Sequence, residues 1–189
     1  MEISDSLVRC EWCVNDQDYI QYHDKEWGVP LHDDQKLFEL LTLEGAQAGL
    51  SWLTVLRRRD GYRRAFKNFN ILQVSKFNDL KIANLLNDTG IIRNKLKVLS
   101  TVSNAKAILI IQKEFGSFDK YLWQYIDNVP INNGFSKSSK PGEIADLLSK
   151  DLRRRGMNFV GPTICYAFMQ ASGMINDHVT NCFRFSELS

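Results

Sequence analysis

No stretch of this chain stays apolar for the length that a bilayer crossing requires, so neither a membrane-spanning helix nor a membrane partner is expected. The first residues, Met1-Glu2-Ile3-Ser4-Asp5-Ser6, are acidic and polar where a secretory leader is basic and then apolar, and the expectation is a cytoplasmic protein. An excess of one charge is missing too. The 24 lysines and arginines against 22 aspartates and glutamates leave a formal +2, which excludes a protein coated in basic residues. Cysteine is scarce, with four in 189 residues: Cys10, Cys13, Cys165 and Cys182. A disulfide framework is not expected of them in that compartment, which leaves metal binding or packing. Strand-like alternation is rare, and neither an internal repeat nor a clear linker is visible.

What is present reads as helix. Hydrophobic residues, 44% of the chain, recur at helical spacing over 34–48, 52–68, 78–87, 92–114, 118–127, 142–155 and 163–173, which predicts an all-α fold. Residues 1–189 read as a single domain, and the alternative, two helical lobes divided near residue 70, is one of packing around a cleft. Connectors fall at Asp60-Gly61, Asp88-Thr89-Gly90, Phe115-Gly116-Ser117 and the polar stretch 132–142.

Glu44 stands out because its neighbours from Leu40 to Trp52 are almost all apolar or small. Leu37, Phe38, Leu40, Leu41 and Glu44 share helical spacing after the helix-start residues Asp33 and Asp34, which places the carboxylate on or beside an apolar face. A carboxylate there is paired, protonated or facing a cleft. Close by in sequence lie Trp12, Tyr19, Tyr22, Trp27 and Trp52. Aromatic rings beside a carboxylate attract a flat cation, since ring quadrupole and negative charge act together. The alternative is a structural carboxylate among ordinary core rings.

The basic residues are clustered as Arg57-Arg58-Arg59 with Arg63-Arg64, and as Arg153-Arg154-Arg155. Such runs meet a phosphate backbone or form solvated helix faces, here balanced by Asp60 and Asp151. The second run leads through Gly156-Met157-Asn158-Phe159-Val160-Gly161 into a helix opening at Pro162-Thr163, a helix-hairpin-helix pattern. A turn closed by Gly161 would aim the unpaired amides of the next helix, from Thr163 on, at a phosphate. Asp88-Thr89-Gly90-Ile91-Ile92-Arg93 is a weaker instance, equally a helix cap and turn.

Cys10 and His23 near one end, with His178 and Cys182 near the other, make a Cys2His2 set of the kind that closes a structural zinc site and clips two chain segments together. Cys13 is a substitute for Cys10 in that role, and Cys165, in an apolar helix, reads as packing.

Taken in order, Arg9-Cys10-x-Trp12, Tyr22-His23-Asp24-x-Glu26-Trp27-Gly28-Val29-Pro30, Leu43-Glu44-Gly45-x-Gln47-Ala48-Gly49-Leu50-Ser51-Trp52, Gly90-Ile91-Ile92-Arg93, Phe159-Val160-Gly161-x-Thr163-Ile164-Cys165-Tyr166 and Asn176-Asp177-His178-Val179 resemble the bacterial 3-methyladenine DNA glycosylase I family over almost the whole chain. The resemblance implies a monomeric helix-hairpin-helix glycosylase acting on double-stranded DNA that contains alkylated adenine, with free 3-methyladenine as product. It implies one structural Zn2+ held by Cys10, His23, His178 and Cys182. It also implies a base pocket of Glu44, Tyr22, Trp27 and Trp52 with Trp12 nearby.

Three features depart from the family pattern: Ala46 where glutamine is frequent, the extra Cys13, and a short tail after Cys182. In such an enzyme Glu44 recognises the cationic base and is the candidate catalytic residue, with recognition alone as the alternative; Tyr22 and Trp52 stack on the base, Leu50 is a candidate wedge in the duplex, and Asp177 is a secondary carboxylate candidate or an orienter of a ligand. Two rival functions remain: a non-catalytic, zinc-clipped DNA-binding protein and a binder of another cationic aromatic molecule.

Overall fold

The structure, a computed structural model, describes residues 7–134 and 138–189; residues 1–6, and residues 135–137 of the polar connector, lie outside the described residues. The helices are α1 (Gln17–Lys25), α2 (Asp34–Gln47), α3 (Trp52–Leu56), α4 (Arg59–Ala65), α5 (Ile71–Ser75), α6 (Asp79–Asn87), α7 (Lys95–Phe115), α8 (Phe118–Trp123), α9 (Lys140–Arg154), α10 (Pro162–Ala171) and α11 (Phe183–Glu187). One parallel bridge, β1 (Ile131–Asn132) with β2 (Ile175–Asn176), is the strand structure among the described residues. No helix among them is long and apolar enough to cross a membrane.

Local chemistry starts most of these helices. Asp16, Asp33, Ser51, Asn70, Asn78, Asn94 and Ser117 each accept a hydrogen bond from a first-turn amide with the side chain, filling a donor that the helix itself leaves open. Asp34 has a different task from its neighbour. Its carboxylate accepts from Phe118 N (2.9 Å), Asp119 N (2.8 Å) and Gln112 Nε2 (2.7 Å), and so ties the start of α2 to the junction of α7 and α8.

Several boundaries differ from the sequence expectation. The single helix expected over 52–68 is α3, α4 and a tight turn in which Lys67, Asn68 and Phe69 take left-handed backbone (φ 55°, 50° and 58°). That turn sets the Phe69 ring edge-on to Phe38 of α2, with centroids 5.6 Å apart. Three helices, α1, α5 and α11, were not anticipated. α1 buries Tyr22 and His23 rather than an aliphatic stripe, and the other two are single five-residue segments.

The long α7 runs through the middle and packs on α5, α8, α6 and α2, while α10 packs on α9 and α2. The buried Val98, Ala105, Ile108 and Ile111 of α7 join Phe38, Phe66, Phe69, Phe118 and Trp123 in one core. α2 therefore lies between the α7 layer and the α9–α10 pair, and its last turn carries Glu44.

Candidate active site and metal cluster

α1 is fixed to α3 by polar contacts that set the aromatic walls. Tyr19 Oη accepts from Leu53 N (3.1 Å), and Arg57 donates to Asp16 (2.7 Å) and Asp18 (2.9 Å). These contacts bring Tyr22 and Trp52 to a centroid distance of 5.4 Å. Trp12 sits edge-on to Tyr19, Tyr22, Trp27 and His23 at 5.1–6.4 Å, the hub of the set. Trp27 lies on the far side, its ring 4.6 Å from that of His178.

Glu44 is 4% exposed, and no hydrogen bond or ion pair reaches its carboxyl among the described residues. Burial alone pushes its pKa up to about 8, so the carboxyl is held neutral below that pH. Burial, and after it the Glu44 carboxyl, raises the Tyr22 phenol well above its usual range. The Trp52 indole N–H is also buried without a partner. Native interiors mostly satisfy such groups, which makes the Glu44 carboxyl and the Trp52 N–H, beside aromatic rings, a candidate binding site. Beside Trp52 a cleft of about 540 Å³ opens between Val29, Pro30, Leu40, Leu43 and Arg59.

The four ligand candidates come together fully buried, their donor atoms within 4.8 Å of one another. Each imidazole is held by a neighbour. His23 Nδ1 contacts Asp24 (2.8 Å), which is itself gripped by Arg9 (2.8 and 3.0 Å), leaving His23 Nε2 to face the cluster. His178 Nε2 donates to the Trp27 carbonyl (3.1 Å), leaving its Nδ1 inward. These outer contacts fix tautomer and ring orientation as metal-binding histidines require, and the group could hold a metal ion. Burial lowers both imidazole pKa values, that of His178 to about 4, so both rings stay neutral and able to ligate. Cys13 lies outside the group, its thiol donating to Cys10 O (3.1 Å). Cys165 is buried against Val160 O, as packing predicts.

Asp177, 1% exposed, accepts from Asn133 Nδ2 (2.7 Å), Tyr166 Oη (2.8 Å) and Gln170 Nε2 (2.8 Å), and so joins α10 to the 131–134 segment.

The turn between α9 and α10 is stapled by Ser149 Oγ donating to Val160 O (2.7 Å), with Gly156 (φ 85°) and Phe159 (φ 54°) in left-handed backbone. Gly161 caps α10 with no side-chain bond to the first-turn amides, leaving Thr163 exposed at the helix start. The arginine runs divide. Arg57, Arg59, Arg63, Arg154 and Arg155 are paired with carboxylates, among them Asp60 and Asp151, as the solvated-face reading predicts. Arg58, Arg64 and Arg153, by contrast, have no carboxylate partner among the described residues, and the Arg153 guanidinium lies over Gly161, where a Cβ would stand 3.1 Å from it. Arg153 belongs to the run for which the sequence left phosphate contact and solvated face open.

Residues 12–185 match the family model for methyladenine glycosylase. DNA-3-methyladenine glycosylase 1 of Escherichia coli (strain K12) is 44% identical over 179 residues, which cover 93% of this chain and 96% of that one. A crystal structure of 3-methyladenine DNA glycosylase I superposes with a TM-score of 0.87 at 45% identity, covering 93% of this chain and 98% of the other. A tyrosine-to-phenylalanine variant of a 3-methyladenine DNA glycosylase I, solved in complex with 3-methyladenine, superposes with a TM-score of 0.86 at 34% identity, covering 93% and 96%. This chain belongs to the methyladenine glycosylase family.

Proposed function

We propose that this protein excises 3-methyladenine from alkylated duplex DNA by hydrolysing the bond between the base and C1′ of its deoxyribose. The observation that carries the reading is the buried, partnerless Glu44 carboxyl near Tyr22, whose ring packs on Trp52. Methylation at N3 leaves the base cationic in DNA, so it departs as a neutral molecule and needs little acid catalysis. The protein's tasks are to extrude the nucleotide, capture the base and tolerate the sugar cation to which water then adds.

Glu44 carries the recognition. An arriving cation favours the ionised carboxyl, so the neutral group gives up its proton to solvent and holds the base edge by a charge-assisted hydrogen bond. Once the bond breaks the base is neutral, and this grip weakens. Trp52 and Tyr22 stack on the base. Their rings, 5.4 Å apart, part to about 7 Å, two contact distances, if both are to face it. Trp12 and Trp27 back these walls.

The α9–turn–α10 unit acts as a helix-hairpin-helix that grips the DNA backbone, with the amides of Gly161 and Thr163 and the Arg153 guanidinium directed at phosphate. Leu50, 41% exposed at the tip of the turn between α2 and α3, is the wedge that fills the stack after extrusion. Cys10, His23, His178 and Cys182 hold one zinc ion. In support, the inward donors lie 3.2 Å apart (His–His) and 3.5–3.6 Å apart (His–Cys). A tetrahedron with zinc's bond lengths has edges of about 3.3 Å and about 3.6 Å for those pairs. Four protein ligands leave no place for a reactive water, so the ion's contribution is to staple residues 10–23 to residues 178–182. We take the chain to work as a single-domain monomer.

The test is chromatographic detection of free bases released from methylated duplex DNA by the purified protein and by Glu44→Gln, with metal content checked in both. Release of 3-methyladenine with 7-methylguanine retained, and loss in the variant, is the expected result. No release from folded, metal-loaded protein overturns the enzymatic reading in favour of a DNA-binding protein.

A further inference from the structure

The turn that carries Leu50 is held from below by one lysine. α2 ends at Gln47, so its last carbonyls lack helix amides to accept from. Lys97, half-buried on the first turn of α7, donates from Nζ to both Ala46 O and Ala48 O at 2.7 Å. Beyond this clamp Gly49 stands clear, with nothing within 4 Å of a Cβ placed there, and Leu50 N closes on Gln47 O (2.6 Å). Ser51 then caps α3.

Seven residues further along α7, Asn104 makes a matching double contact with the hairpin: its Nδ2 donates to Asn158 O and its Oδ1 accepts from Asn158 N, both at 2.9 Å. Two helical turns separate the clamps, about 10 Å along the axis. Gly45 of α2 completes the link, since a Cβ there would meet the Phe159 side chain at 3.1 Å. α7 thus grips both surfaces that the proposed function presses on DNA.

We propose that Lys97 is a positioning residue for base extrusion: its ammonium locks the Ala46 and Ala48 carbonyls so that the Leu50 tip keeps a fixed height relative to the hairpin when it is pushed into the base stack. The inference rests on the reading of Leu50 as the wedge. A side chain that displaces a base is pushed back by the duplex, and a turn free to yield loses the geometry that extrusion requires.

The experiment compares excision of 3-methyladenine from methylated duplex and methylated single-stranded DNA by Lys97→Met, Lys97→Arg, Leu50→Ala and the double variant Lys97→Met/Leu50→Ala. Lys97→Met is expected to slow duplex excision about tenfold, while single-strand excision and binding of free 3-methyladenine stay unchanged. Lys97→Arg recovers most of the loss, and the double variant is no slower than Leu50→Ala, because the two residues act as a unit. The salt dependence of duplex binding stays as in the wild type, whereas a lysine that touched phosphate would lower the slope by about one.

Duplex excision unchanged in Lys97→Met but lowered in Leu50→Ala overturns the clamp and leaves the wedge standing. Duplex excision unchanged in Leu50→Ala overturns the wedge and the clamp with it. Equal losses on both DNA forms show a merely structural lysine and overturn the proposal as well. Thermal melts check Lys97→Met for folding; should it fail, Lys97→Gln, which keeps one donor, reads the same duplex-to-single-strand ratio.

Discussion

The Cys2His2 cluster and the aromatic set around Glu44 lie side by side, sharing the ring of Trp27, and the imidazoles of one and the carboxyl of the other are treated in opposite ways. In the cluster every imidazole has an outer partner: His23 has Asp24, itself held by Arg9, and His178 has the Trp27 carbonyl. In the pocket Glu44 has no partner among the described residues and the Trp52 N–H has none either. Unsatisfied buried groups cost stability. On the proposed reading, the contrast separates a region whose work is done on folding from one whose work begins on binding.

The largest expected effect falls on the cluster. Removing one ligand by His178→Ala, which also abandons the Trp27 carbonyl, should destabilise the protein by roughly 4 kcal/mol or more and release the metal. Thermal melts with metal analysis check this, and a variant as stable as the wild type would place the cluster with the pocket as a functional rather than a structural site. Glu44→Gln should do the reverse. Loss of a hydrogen bond to a charged group lowers excision by roughly ten- to a hundredfold, while the neutral amide leaves the fold intact.

The same variant also carries a pH signature. The folded carboxyl keeps its proton up to about pH 8, whereas the unfolded one releases it near 4.5. Between those values the native state binds the extra proton, so stability falls as pH rises through that window and levels off above it. Denaturant titrations at pH 5 and pH 8.5 should show a drop of a few kcal/mol in the wild type that is absent from Glu44→Gln. Equal curves would mean that Glu44 has a partner after all.

How much of this was legible in the sequence follows the same division. The Cys10, His23, His178 and Cys182 set could be read because few residue types ligate metals and their chemistry survives any fold. Glu44 could be read because a carboxylate on an apolar helix face is anomalous wherever the helix goes. α1 could not, since its buried face is Tyr22 and His23 and gives no aliphatic rhythm. The partners of the arginines were hidden for another reason: Arg59 meets Glu26 and Arg155 meets Glu114, distant residues that only tertiary packing brings close. Lys97 looked like any solvent-facing lysine because its acceptors are main-chain carbonyls, which no sequence pattern marks.

Smaller substitutions sharpen the comparison at its edges. Asp24→Asn keeps the shape beside His23 but weakens the group that orients it, so metal affinity should drop roughly 10- to 100-fold in competition with a chelator while excision by the loaded protein holds. A fall in excision at full metal occupancy would mean that the cluster reaches into the pocket's chemistry. Cys13→Ala makes the smallest change. Its thiol is fully buried and bonded to the Cys10 carbonyl, three residues from a proposed ligand, yet it is not among the four converging donors. A thiol that only packs leaves one metal per chain when removed and takes away about 1 kcal/mol of stability, whereas a fifth ligand in exchange with Cys10 takes metal affinity with it. The two outcomes differ in metal content rather than in melting temperature, so it is metal analysis that assigns Cys13 to the cluster or to the core.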